Sequence, residues 1–123
     1  VSIFATGHLV YPALQAAYIL YQKGISAEVI DIHTIKPLDE QRIIKSINKT
    51  RCVVTAEEHL INGGLGDSIA QVLVRNLPCP QEYVAMNDCF GQSGKPEQLL
   101  NEYHLNKEAI VEAAIKVVAR KSY

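Results

Sequence analysis

Hydrophobic positions in this chain follow two periods that take turns. Four short apolar runs, rich in β-branched residues, read as strands: Val1–Ala5, Ala27–Asp31, Cys52–Ala56 and Glu82–Met86. Helical periodicity lies between them. Tyr11–Lys23 places Leu14, Ala17, Tyr18 and Tyr21 at i, i+3, i+4 and i+7, predicting that stripe as its inner face. Pro12 fits only a first helical turn, so the start falls near Val10, and Gly24 suits the left-handed position past the end. Asp39 is placed to cap a second helix, with Arg42 rather than Glu at the third helical position, so no capping box is expected. Its inner face is Ile43, Ile44 and Ile47, and its end falls near Asn48-Lys49. A third helix follows the glycine loop around Gly63-Gly64, with Ile69, Val72, Leu73 and Leu77 as its stripe, and Pro78 and Pro80 stop it. Pro96 opens a short helix to Tyr103. Asn106 caps a last helix with the clearest stripe: Ile110, Ala113, Ala114, Val117 and Val118.

The order is βαβαβαβαα. Such alternation predicts an α/β fold: three layers, α/β/α, around a mostly parallel sheet with right-handed crossovers. The expected spatial order sets strand one between strands two and three, with strand four outside three. Winding then reverses between strands one and three, and a crevice opens at their carboxyl ends. The residues assigned to it are Thr6, Gly7 and His8 after strand one, Glu57, Glu58 and His59 after strand three, and Gly63 and Gly64 facing them.

Composition narrows the picture. At 123 residues the chain has single-domain length, and 48% hydrophobic with 20% charged residues is ordinary for a globular domain. A net charge of −1 supplies no field for nucleic acid or an anionic membrane surface. No apolar run approaches the roughly 20 residues that span a bilayer. Cys52, Cys79 and Cys89 are odd in number and without a C-x-x-C pair, which favours reduced thiols in a cytoplasmic protein. Val1 already lies in a strand-like run, so the chain is expected to be a fragment or an excised domain.

Several chemistries compete for the crevice. Two imidazoles and a carboxylate suit zinc, although the spacing matches no zinc pattern. A carboxylate pair beside an imidazole suits general acid–base work. Backbone N–H groups at the glycine loop suit a phosphate, but the spacing is neither a dinucleotide fingerprint nor a P-loop. The plainer alternative is that these residues hydrogen-bond loop backbone or a neighbouring domain. Ser93, in Gln-Ser-Gly, does not sit on a nucleophile elbow. His33 and His104 read as exposed or structural.

Five motifs in series resemble the C-terminal domain of transketolase: Ala5-Thr6-Gly7; Thr34 to Asp39 (TIKPLD); Thr55 to His59 (TAEEH); Gly63 to Gly66 (GGLG); and Phe90 to Leu100 (FGQSGKPEQLL). The resemblance runs from Val1 to about Ala119. The same domain type closes the β-subunit of 2-oxo-acid dehydrogenases and deoxyxylulose-phosphate synthase, and the combination of motifs favours transketolase. His104 departs from the pattern, at a helix end.

The resemblance implies a domain spanning 1–123 of a larger enzyme that moves two-carbon ketol units between sugar phosphates with thiamine diphosphate and magnesium. It implies an additional antiparallel edge strand from residues before Val1. It implies N-terminal and middle domains as partners, a homodimer of the full enzyme, and a pentose phosphate pathway role. No catalytic, cofactor-binding or metal residue of the family carries over to this chain, which is expected to be inactive alone and to serve assembly and regulation. Two other readings stand beside it: a module docking an acyltransferase in an oxo-acid dehydrogenase, and a freestanding anion-binding module.

Overall fold

In the computed structural model the described residues form four strands and four helices. The structure describes residues 1–33, 35, 37–60, 64–86 and 105–121, without the side chains of His59, Leu60 and Met86. The elements are β1 (Ser2–Ala5), a 3-10 turn (Gly7–Leu9), α1 (Val10–Gln22), β2 (Glu28–Asp31), α2 (Glu40–Thr50), β3 (Val53–Leu60), α3 (Leu65–Asn76), β4 (Gln81–Met86) and α4 (Lys107–Ala119). The expected helix Pro96–Tyr103, the Ser93 loop, Cys89 and His104 lie outside the described residues, as do Thr34 and Lys36 of the TIKPLD motif.

The sheet runs β2-β1-β3-β4 with every pairing parallel, the order the crossover rules predict. Each strand is covered on both faces, so its apolar residues form runs rather than alternating with polar ones. One layer packs α1 and α4 over Ile3, Ala5, Val54, Ala56 and Val84. The opposite layer packs α2 and α3 over Phe4, Ile30 and Val53, with Ile43, Ile47, Ile69, Val72 and Leu73 from the helices. Side chains in β1 and β3 therefore alternate between two cores.

The predicted caps form. The Asp39 side chain accepts from Arg42 N at 3.2 Å, and the Asn106 side chain accepts from Ala109 N at 2.9 Å. Past α1, Gly24 at φ +84° donates to Tyr21 O and Ile25 to Leu20 O, a Schellman ending that sets Ile25 against the core. The stripes of α2, α3 and α4 face inward as expected, α4 adding Ala109 and Val111.

Two expectations change. The inner face of α1 is Ala13, Ala16 and Leu20, whereas Leu14, Tyr18 and Tyr21 of the predicted stripe are exposed. Alanines at the contact let α1 approach α4, which offers Ala109 and Ala114 in the same core. All thirteen residues of α1 are uncharged, so the sequence carries no outer-face marker and side-chain size pointed the wrong way. The second change is in β3. It does not stop at Ala56 but continues through Glu57, Glu58 and His59 to Leu60.

Arg51, just past α2, has φ +61° and is the one non-glycine at positive φ among the described residues. A left-handed residue with a Cβ costs about 1–2 kcal/mol. Arg51→Gly is expected to raise stability by about 0.5–1 kcal/mol, after allowing for glycine's greater unfolded-state entropy. Arg51→Val is expected to lower it by at least about 1 kcal/mol. Urea unfolding of the two variants checks both signs.

Candidate functional site

The crevice is built by the extra length of β3. Side chains alternate across a strand, so Glu57 follows Val53 and Thr55 to the α2/α3 face. Glu58 follows Val54 and Ala56 to the α1 face. The adjacent glutamates therefore do not act as a carboxylate pair. Each goes to a different helix.

Glu57 is fully buried. Its Oε1 accepts from Leu65 N at 2.8 Å and its Oε2 from Gly66 N at 2.6 Å. These are N–H groups of the first turn of α3, which have no partner within the helix. The positive end of the helix dipole adds to the attraction. The anion position that a glycine loop before a helix advertises is thus filled from inside the chain. Gly64 is required by the same contact: a Cβ there would lie 2.0 Å from Glu57 Oε1. Gly66 meets a second constraint, since its Cβ would fall 2.3 Å from the Tyr83 ring.

Strand β4 fixes the rest of that turn. Gln81 Nε2 donates to Gly66 O at 2.9 Å and to Thr55 Oγ1 at 3.1 Å. Two residues on, the Tyr83 hydroxyl donates to Asp67 Oδ1 at 3.0 Å. Burial, reinforced by the Asp67 carboxylate that accepts its proton, pushes the Tyr83 phenol up to about 12. Gln81 and Tyr83 are functional in positioning and carried no sequence signal beyond strand periodicity.

Glu58 makes the matching contact across the sheet. Its Oε1 accepts from His8 N at 2.7 Å, and its Oε2 lies 3.2 Å from His8 Nδ1. Gly7 has φ +56°, and a Cβ on it would stand 2.7 Å from Glu58 Oε1. Thr6 is extended and ties β1 to β3 by donating its backbone N–H to Ala56 O. Gly7 and His8 thus meet Glu58 on one face of the sheet, and Gly64 meets Glu57 on the other, so the predicted residues form two contacts rather than one cluster. The His59 side chain and Gly63 lie outside the described residues.

Among the described residues no group of three or more His, Cys, Asp or Glu side chains is placed to hold a metal ion, and no buried side-chain nitrogen or oxygen lacks a hydrogen-bond partner. Cys52 is buried and Cys79 half-buried, its thiol pushed up by burial, so neither has the environment of a reactive thiol. A second cleft, at the ends of β1 and β2, is lined by Thr6, Val10, Asp31 and Ile35. His33 there is exposed, 3.6 Å from Asp31.

Comparison with known proteins agrees with this architecture. Residues 1–110 match the family "Transketolase, C-terminal domain". A 6-deoxy-6-sulfo-D-fructose transketolase subunit of Clostridium sp. (strain MSTE9) is 44% identical over 123 residues, covering 100% of this chain and 38% of that protein. A 1-deoxy-D-xylulose-5-phosphate synthase of Halothermothrix orenii is 40% identical over 120 residues, 96% of this chain and 19% of the synthase. Among solved structures, a split-gene transketolase in an inactive β4 tetramer superimposes with a TM-score of 0.93 at 40% identity, over 98% of this chain and 40% of that one. The chain spans about two-fifths or less of the relatives it matches.

Two predictions follow from the geometry. Glu57→Gln turns an amide N–H₂ toward N–H donors and is expected to cost about 2–4 kcal/mol. Gly64→Ala should be comparably damaging. Glu58→Gln, on a side chain 37% exposed, should cost under about 1 kcal/mol. Urea unfolding ranks the three. The Tyr83 phenol binds its proton more tightly folded than unfolded. Its contribution to stability is therefore complete below about pH 10 and is lost as pH rises toward 12. Ultraviolet titration is expected to show a phenol titrating near 12 in wild type that is missing from Tyr83→Phe.

Proposed function

From a chain that belongs to the transketolase C-terminal domain family, we propose that it is the C-terminal section of a thiamine-diphosphate-dependent transketolase. The complete enzyme transfers two-carbon ketol units between sugar phosphates. This section joins the N-terminal and middle domains, whether they lie on the same chain or on a companion subunit, and it self-associates. Support for a split arrangement comes from the two transketolase subunits it matches at 44% and 40% identity, each covered to about two-fifths of its length. Support for self-association comes from the β4 assembly of the second.

The observation that carries the assembly role is the filled crevice. Thiamine diphosphate supplies the carbanion chemistry wherever it binds. Its diphosphate needs free N–H donors or a bridging divalent cation. In this chain the N–H groups of Leu65, Gly66 and His8 already donate to Glu57 and Glu58. These N–H groups are not open to the diphosphate, and no chemical step is assigned to the residues around them. Discrimination between a phosphorylated and a sulfonated sugar then belongs to other parts of the enzyme.

The synthase relative at 40% identity favours a second reading, in which the complete enzyme forms 1-deoxy-D-xylulose 5-phosphate. Product analysis of the complete enzyme separates the two. The 123-residue chain, given thiamine diphosphate, magnesium and sugar phosphates, is expected to show no turnover. In the complete enzyme Glu58→Gln is expected to leave the thiamine diphosphate requirement within about twofold of wild type, because its carboxylate is engaged by the 3-10 turn before α1. Turnover by the isolated chain, or a tenfold shift in that requirement, would overturn the assembly role.

A further inference from the structure

The outer face of α1 is chemically unlike an ordinary solvent face. Tyr11, Leu14, Tyr18 and Tyr21 are 68%, 53%, 66% and 75% exposed, and the helix between Val10 and Gln22 carries no charge. A surface helix normally puts charged residues on this side. Scattered exposed apolar residues need no explanation, but a continuous stripe marks an interaction surface. Tyrosine is also among the residues enriched at the centres of interfaces.

The spacing identifies the occupant. Positions 11, 14, 18 and 21 are separated by 3, 4 and 3 residues, the a–d–a–d seam of a helix pair. The sequence of intervals reads the same in both directions. An antiparallel copy of α1 across a two-fold axis therefore sets Tyr11 opposite Tyr21 of the second copy and Leu14 opposite its Tyr18. Every seam residue meets a seam residue, which is the self-complementarity an isologous contact needs. An uncharged stripe also avoids the like-charge opposition that a two-fold axis otherwise creates.

Antiparallel pairing also sets the helix dipoles in favourable opposition. The seam is about 15 Å long. Its four side chains supply about 400 Å² per copy, roughly half of a standard interface. The seam is thus the apolar centre of a larger contact.

We infer that the Tyr11–Leu14–Tyr18–Tyr21 face of α1 docks a second copy of this chain, antiparallel about a two-fold axis. The inference rests on the self-association proposed above. The test is sedimentation velocity of the complete subunit over a range of concentrations, comparing wild type with a Leu14→Glu, Tyr18→Glu double variant. The variant is expected to self-associate at least tenfold more weakly while keeping its circular dichroism, since both sites are exposed. A register test avoids introduced charge. Under mild oxidation an equimolar mixture of Tyr11→Cys and Tyr21→Cys subunits should form disulfide-linked dimers faster than either variant alone or wild type.

A monomeric wild type at every concentration would overturn self-association itself, and the docking face with it. An oligomeric wild type with an equally oligomeric double variant and no preferential cross-link would overturn the docking face and leave self-association standing. Loss of companion-subunit binding, with self-association intact, would also overturn it by giving α1 a different occupant. Should the double variant misfold, preferential cross-linking in the mixture supports the inference and its absence overturns it.

Discussion

The first turn of α3 is held by a carboxylate buried beneath it, and most of the crevice is arranged around that contact. Removing a charged group from water costs several kcal/mol. Glu57 offsets this by placing both oxygens on backbone N–H groups that the helix leaves unpaired, at the positive end of its dipole. The arrangement needs a chain with no Cβ at Gly64, where the carboxylate lies, and at Gly66, where the Tyr83 ring lies. It also needs β4 alongside, so that Gln81 and Tyr83 can secure Gly66 O and Asp67. Strand, loop and helix constrain one another here, and no one of the residues is replaceable without moving the others.

Continuation of β3 past Ala56 decides what the adjacent glutamates can do. A loop could have brought Glu57 and Glu58 together around a proton or a metal. A pleated strand sends them to opposite faces, where each satisfies the amino end of a different helical segment. Doubly wound sheets usually present such amino ends to a ligand at the point where winding reverses. In this domain both are occupied by its own side chains. The N–H groups of Leu65, Gly66 and His8 at the switch point thus serve the domain's own packing.

The two sides of α1 differ in side-chain size. Small side chains, Ala13 and Ala16, bring the helix close to α4 and the sheet. Large ones, Tyr11, Tyr18 and Tyr21, face outward. Close packing in the core favours the small residues, while an interface gains most from rigid aromatic surface.

Much of this was legible in the order of residues. Strand and helix positions, the Asp39 and Asn106 caps, the Gly24 ending, the parallel order β2-β1-β3-β4 and the family all follow from local periodicity, turn chemistry and motif spacing, because those signals are carried by near neighbours along the chain. That the ends of β1 and β3 lie side by side was legible too, since topology alone places Gly7 and His8 near Glu58. Three things were decided only in three dimensions. The extent of β3 was set by distant contacts that override the weak strand preference of Glu-Glu-His, with Glu57 held by Leu65 and Gly66 and Glu58 by His8. The purpose of the glycines depended on atoms seven and seventeen residues away, Glu57 for Gly64 and Tyr83 for Gly66. The inward face of α1 depended on how closely α4 and the sheet approach, a distance that an uncharged helix does not encode in its own sequence.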